Sequence, residues 1–132
     1  TMFYAEYEVT TKILRYSNGG QNCPIVLRDG SCTDLDTDGM LIGVMKSVEF
    51  EEKTMRLEPN DFVIFYTDGV VEAKNKDGQM FTIERLRNVI EPADRRASAG
   101  ELLERIYAEI GQYSGNALRS DDITVMVLKI YE

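Results

Sequence analysis

Apolar residues along the chain fall into short runs separated by polar turns in the first half, and they recur at helical spacing in the second half. Two runs flank Thr10-Thr11 and predict a hairpin that ends at Asn18-Gly19-Gly20. CPIVLRDG follows and ends in an Asp-Gly turn signal, before a polar, acidic loop, SCTDLDTDG. SVEFEEKTMRLEPND then predicts a strand with one face toward solvent. The first half is therefore predicted to be rich in strands.

The run FVIFY, Phe62–Tyr66, is apolar at every position, which predicts a strand covered on both faces. A polar turn, KNKDGQ, comes after it. ITVMVLKIYE, entered through Ser120-Asp121-Asp122, is predicted to be a second strand of this buried type.

Two helices are predicted between these buried strands. The first has one apolar stripe, formed by Ile83, Leu86, Val89 and Ile90, and Pro92 closes it. The second begins at the capping box Ser98-Ala-Gly-Glu101 and ends at Gly111 or Gly115. Because strands precede the helices instead of alternating with them, the order predicts an α+β domain of mostly antiparallel sheets with helices packed on a face.

Length and charge narrow the class of protein. The 132 residues, 1–132, are expected to lie in one domain, and their apolar runs are too short to span a bilayer. No export signal is visible, so we expect a cytoplasmic protein. A net charge of −8 argues against a nucleic-acid partner, because neutralising phosphates requires basic residues.

The chain has two cysteines, Cys23 and Cys32, and no histidine. Two thiolates without histidine cannot complete a four-ligand zinc site, and a Ser-His-Asp mechanism is excluded within the chain. A disulfide across this short loop remains open, although a protein with no export signal favours free thiols. Any catalysis by these residues must therefore depend on carboxylates and metals.

Carboxylates stand at the ends of both buried strands. Asp68-Gly69 follows Phe62–Tyr66, and Asp121-Asp122 precedes the last strand. Hard cations such as Mg²⁺ and Mn²⁺ prefer oxygen ligands, and Gly69 would let water on a metal approach the backbone. A structural role is the alternative, because Asp-Gly is a common turn dipeptide. A third acidic stretch, Asp34–Gly39, opens like an EF-hand loop but has Met45 where a glutamate is required.

Four motifs in order resemble the SpoIIE/RsbU-like branch of the PPM (type 2C) metal-dependent phosphatases. LEPNDFVIFYTDGVVEAKNKDGQMFTIERL is similar to the family pattern pGD, an apolar strand, YTDG, a polar turn and F-G-x-erL. SDDITVMVLKI is similar to its closing D-D-x-T strand, YSNGGQNCPIVLR to its N-A-G-H stretch, and GMLIGV to its G-x-x-L-G turn. The resemblance covers essentially the whole chain.

The resemblance implies an αββα sandwich of mostly antiparallel sheets, with a two-metal site for Mn²⁺ or Mg²⁺ at one edge. It implies hydrolysis of phosphoserine or phosphothreonine on a partner, such as a phosphorylated anti-sigma factor antagonist. By matched position Asp68 and Asp121 are metal ligands, and Gly69, Asp122 and Asn18 are auxiliary groups beside them.

The match has departures. The family's first-half motif, D-x-S-G-H-G, is missing, so residues 1–132 are expected to be the C-terminal part of one domain and inactive alone. Gln21 stands where the family has histidine, and Asn60 and Thr82 stand where it has glycine. Without the missing strands, the apolar faces of FVIFY are expected to be exposed unless something else covers them. A homodimer or a rearrangement of the layers would cover them. The alternative is that this half of the domain buries FVIFY by itself.

Two functions from different classes follow. The first is a protein serine/threonine phosphatase. The second is a degenerate phosphatase-fold module that binds a phosphoprotein without hydrolysing it. An acidic α+β domain with turn aspartates is a third reading, which four ordered motifs disfavour.

Overall fold

The computed structural model describes residues 1–117 and 121–131. Ser120, predicted to lie just before the last strand, is therefore outside the described residues. The strands are β1 Met2–Glu8, β2 Ile13–Gly19, β3 Ile25–Arg28, β4 Ser31–Asp34, β5 Lys53–Arg56, β6 Phe62–Tyr66 and β7 Val125–Lys129. The helices are α1 Asp68–Val71, α2 Thr82–Ile90 and α3 Ala99–Ser114.

The strands form two antiparallel sheets, one in the order β1-β2-β5 and one in the order β4-β3-β6-β7. The predicted hairpin around Thr10-Thr11 is confirmed, with Met2 paired to Gly19 at one end and Glu8 to Ile13 at the other. A tight turn at Asp29-Gly30, both with positive φ, joins β3 to β4. The expected α+β class of mostly antiparallel sheets is confirmed.

Strand β6 is the shared wall of two apolar cores. Phe62 and Ile64 point into a core with α2 and α3, whereas Val63 points into a core that also contains Leu14 and Tyr16 of β2. The two sheets therefore pack face to face, with helices on the outer side of the four-stranded sheet. FVIFY is covered on both faces, as predicted, and within the described residues it needs no second copy for that cover.

The helices match their predicted signals. Ser98 Oγ accepts from Glu101 N at 3.1 Å and Ser98 N donates to Glu101 Oε2 at 2.7 Å, which confirms the capping box of α3. The helix ends at Ser114, and Gly115 follows with φ +52°. Along α2 the buried residues are Leu86, Val89 and Ile90. No helix in residues 1–117 and 121–131 has the length and apolarity needed to cross a bilayer.

Several boundaries differ from the prediction. The acidic loop begins only after Asp34, because Ser31–Asp34 pairs with β3 as strand β4. The solvent-facing strand is confined to Lys53–Arg56, and Val48 and Phe50 lie outside it. The expected fully buried last strand has an exposed Met126, since β7 is an edge strand. Cys23 and Cys32 are free thiols, as favoured from the sequence.

Candidate metal and phosphate site

The hydroxyl of Thr67 joins the two aspartate motifs at the end of β6. Thr67 N donates to Thr124 O at 3.1 Å, and Thr124 N donates to Thr67 Oγ1 at 3.1 Å. The same hydroxyl donates to Asp122 O at 3.2 Å. The carbonyl oxygen of Thr67 accepts instead from Val70 N of α1 at 3.0 Å. The Thr67 hydroxyl therefore takes the place of the Thr67 carbonyl as the acceptor in the sheet ladder. The segment that carries Asp121 and Asp122 is thereby fixed against the one that carries Asp68.

Gly69 allows these two segments to touch. A Cβ atom at Gly69 would overlap the carbonyl oxygen of Asp122, well inside van der Waals contact. Its φ is not in the left-handed region, so close approach of two backbones is the reason for glycine here. The sequence predicted that this glycine admits water on a metal, whereas the structure shows it admitting the neighbouring backbone.

Both candidate ligands are exposed to solvent. Asp68 begins the single-turn helix α1, where its Oδ1 accepts from Gly69 N at 3.0 Å. Asp121 lies in a bend before β7, and its Oδ1 accepts from Asp122 N at 2.7 Å. Asp68 follows β6 and Asp121 precedes β7, in the order that the sequence indicates, but neither lies within a strand. Asp68 belongs to a helix start and Asp121 to a loop, and each keeps oxygen lone pairs open to solvent.

The two carboxylates are of the ligand type that a divalent cation prefers, but they are too few to complete its coordination. Carboxylate oxygens are the donors that Mg²⁺ and Mn²⁺ prefer. Within the described part of the chain, however, no cluster of three or more histidine, cysteine, aspartate or glutamate residues could hold a metal. Asp68 and Asp121 therefore match part of a site, in which further ligands would be water or groups outside this chain.

Asn18 braces the loop that follows β2. Its Nδ2 donates to Gln21 O at 2.8 Å, and its Oδ1 accepts from Gln21 N at 2.8 Å. The Asn18 backbone N also donates to Thr37 Oγ1 at 2.9 Å. Because both ends of this buried side-chain amide bond to the loop backbone, Asn18 fixes the shape of the loop.

The braced loop shares a groove with the residues that join the aspartate motifs. The lining of this groove includes Gln21, Asn22 and Pro24 of the loop, together with Thr67 and Thr124. Tyr66 also lines it, and burial, followed by the nearby charges of Asp34 and Cys23, raises the pKa of its phenol to about 12. The phenol therefore stays protonated at neutral pH and can donate a hydrogen bond.

Sequence reasoning missed Thr67, which holds the site together. The available signal was a hydroxyl residue directly before an Asp-Gly pair at the end of a buried strand. Such a residue usually caps a helix, but the Thr67 side chain makes no cap hydrogen bond to α1. Its role depends on a strand far away in the sequence, which local patterns do not reveal.

The sequence of this chain is similar to sequences of known proteins. The sequence model of the family described as Stage II sporulation protein E (SpoIIE) matches residues 1–131. Phosphoserine phosphatase RsbU of Bacillus subtilis is 28% identical over 133 residues, which is 98% of this chain and 38% of RsbU. This chain thus spans about two-fifths of the length of that relative.

Solved structures show the same fold. The Mn-presoaked phosphatase domain of SpoIIE from Bacillus subtilis superimposes with a TM-score of 0.76 at 16% identity, over 100% of this chain and 56% of that one. The SiaA-PP2C domain of Pseudomonas aeruginosa gives a TM-score of 0.76 at 20% identity, over 90% of this chain and 46% of that one. The two packed antiparallel sheets are therefore those of a PP2C-type domain.

Proposed function

The chain belongs to the SpoIIE family, and on that premise we propose that it is the C-terminal part of a metal-dependent protein serine/threonine phosphatase domain. The substrate in this proposal is a phosphoserine or phosphothreonine on a signalling protein, such as an anti-sigma factor antagonist. The supporting observation is the Thr67–Thr124 contact, which brings the Asp68 and Asp121 motifs to one edge of the sandwich.

Asp68 and Asp121 are the proposed metal ligands, and Mn²⁺ or Mg²⁺ is the proposed metal. A divalent cation at such a site lowers the pKa of coordinated water and neutralises phosphoryl oxygens. Other residues of this chain hold the two proposed ligands in place. Gly69 and Asp122 let the two ligand-bearing segments meet, Asn18 shapes the facing loop, and Thr67 holds the segments in register.

Titration of Mn²⁺ by calorimetry tests the ligand assignment directly. We expect saturable binding by this chain that is weakened at least tenfold in Asp68→Asn. Asp77→Asn removes the same charge from an exposed turn and serves as the matched control, with binding unchanged. Equal binding by all three proteins would refute the assignment of Asp68, and equal absence of binding would mean that the chain alone forms no metal site.

Hydrolysis is tested in the complete domain that carries these residues. Mn²⁺-dependent release of phosphate from a phosphoserine peptide is expected, and Asp68→Asn should reduce it at least a thousandfold while the protein stays folded. Full turnover by the variant would contradict the proposed function.

A second candidate is a phosphoprotein-binding module without hydrolysis. The observation that favours it is the small number of ligands: the described residues offer no cluster of three, and Gln21 replaces a histidine of the family pattern. Binding of a phosphoserine peptide with no phosphate release, at saturating Mn²⁺ and in the complete domain, would select this candidate.

A further inference from the structure

A crevice of about 120 Å³ opens beside the candidate metal site. It lies between α1, the C-terminal half of α3 and residues 121–124 before β7, and its lining includes both Gly69 and Asp121. A cavity of about 150 Å³ accepts a benzene ring, so this crevice has room for one aliphatic side chain. The crevice therefore adjoins Asp121, one of the two proposed metal ligands.

Gly111 lines the crevice without a side chain. It lies inside α3, where glycine costs about 1 kcal/mol relative to alanine. Its backbone φ is not positive, and apart from its chain neighbours and the α3 backbone no described atom comes within 4 Å of a Cβ built on it. Neither backbone conformation nor close packing therefore requires glycine at this position. Because Gly111 lines the crevice, a side chain at this position would take up space there.

The lining indicates what the crevice would take. Ala73, Ile110 and Ile123 supply apolar walls, and Lys74 adds a positive charge. An aliphatic side chain gains from contact with such walls. The Lys74 ammonium attracts the negative charge of a phosphorylated peptide, which the net charge of −8 otherwise repels.

We propose that this crevice is a specificity pocket, which binds an aliphatic side chain close in sequence to the phosphorylated residue of the substrate. The inference rests on the proposed function, because it assigns the pocket to the phosphoprotein that this function requires. It adds a selection rule: among phosphopeptides, those with valine or leucine at one particular position bind tightest.

Fluorescence anisotropy with labelled peptides tests the rule without any turnover. The probes are phosphoserine peptides in a glycine-serine background, with one valine moved through each of the three positions on either side of the phosphoserine. Burial of one aliphatic side chain predicts about tenfold tighter binding at one position. Gly111→Leu, which adds a side chain to the wall of the crevice, should abolish that gain, so that the variant binds the valine peptide and the valine-free peptide equally.

Ala108→Leu is the matched control, because it adds the same side chain to an exposed position of α3 outside the crevice. Absence of a preferred position in the wild-type protein, or a preference that survives Gly111→Leu, would overturn the proposal. If the leucine variant does not fold, the amide chemical shifts of Ala73 and Gly111 in the wild-type protein, followed during titration with the valine peptide, test the same contact. Hydrolysis of p-nitrophenyl phosphate with Mn²⁺ in the complete domain is measured separately, so loss of the proposed chemistry is distinguishable from loss of the pocket.

Discussion

Thr67 and Thr124 exchange two hydrogen bonds of 3.1 Å at the end of the β6–β7 ladder, one of them through the Thr67 hydroxyl. Tyr66 and Val125 are the last residues paired as strands, so this contact extends the ladder by one step after the β6 backbone has turned into α1. The hydroxyl accepts from Thr124 N and donates to Asp122 O, so both of its functions are used.

Thr67→Val is expected to lower the free energy of unfolding by about 1–2 kcal/mol, because it leaves an amide and a carbonyl without their partner. Thr67→Ser keeps the hydroxyl and should lose less than half as much. Urea denaturation of the two variants measures the difference. Equal stability of the valine and serine variants would show that the hydroxyl contributes nothing.

Two residues that replace family glycines have left-handed backbone conformations. Asn60 has φ +73° and Thr82 has φ +70°. Asparagine tolerates this region, whereas a β-branched residue does so only under strain. The Thr82 hydroxyl offsets part of this strain by bonding Glu84, a contact that lowers the pKa of that carboxyl.

Thr82→Gly is therefore expected to raise the free energy of unfolding by about 0.5–1 kcal/mol. Asn60→Gly should change it by a few tenths only, since asparagine enters this region at small cost. Thermal unfolding provides the comparison. Thr82→Ala is the control that keeps a Cβ and removes the hydroxyl, and it should not stabilise the protein. A gain in the alanine variant equal to that of glycine would show that backbone strain is not the cause.

The parts of the fold that could be predicted are those determined by local sequence. The capping box at Ser98 and Glu101 depends on four consecutive residues, and the buried character of Phe62–Tyr66 depends on five. Strand β4 was missed because its polar sequence, SCTD, carries no apolar alternation, and pairing with β3 through the Asp29-Gly30 turn decides it. Periodicity within SCTD cannot identify this pairing, although the two strands are neighbours in the sequence.

The sequence identified the candidate site residues but not their spatial arrangement. The family resemblance implies that Asp68 and Asp121 share one metal site, and their segments are in contact through Thr67. Their exposure was not predicted, since the sequence does not show that Asp68 starts a helix or that β7 begins only at Val125. The bracing role of the Asn18 side chain depends on the path of its loop, which no local pattern specifies.

Asp61 is a buried carboxylate held by Arg28. The side chain of Asp61 is 2% exposed, and it accepts from Arg28 Nε at 3.0 Å, from Arg28 NH2 at 2.6 Å and from Glu58 N at 2.8 Å. This pairing raises the pKa of Arg28, and it joins β3 to the turn before β6.

Arg28→Ala should lower the free energy of unfolding by about 3 kcal/mol, because removing one partner leaves an uncompensated buried charge. Arg28→Lys keeps the charge but not the two-pronged geometry, so an intermediate loss is expected. The double variant Arg28→Ala with Asp61→Asn should recover part of the stability. Guanidinium denaturation measures the free energy of unfolding of the wild-type protein, of these variants and of Asp61→Asn. A double variant whose loss equals the sum of the two single losses would argue against a direct pairing.

The thiol of Cys32 is partly buried against the core that contains residues of α2 and α3. Burial, followed by the negative charge of Glu91, raises its pKa from 9.0 to about 11. A buried thiol resists ionisation because the thiolate loses its hydration. Below pH 9 the thiol is protonated in both the folded and the unfolded chain, so it adds no pH dependence there.

Between pH 9 and pH 11 the unfolded chain releases the Cys32 proton while the folded chain retains it. The unfolded state then binds fewer protons, so the free energy of unfolding falls as the pH rises through this window, by on the order of 1–2 kcal/mol. Cys32→Ser has a similar size and does not titrate here, so its stability should fall less steeply. Tyrosines and lysines titrate in both proteins and cancel in the difference between the two curves. Urea denaturation at half-unit steps from pH 8 to pH 11 measures that difference, and parallel curves would mean that the thiol ionises as readily in the folded protein as in the unfolded one.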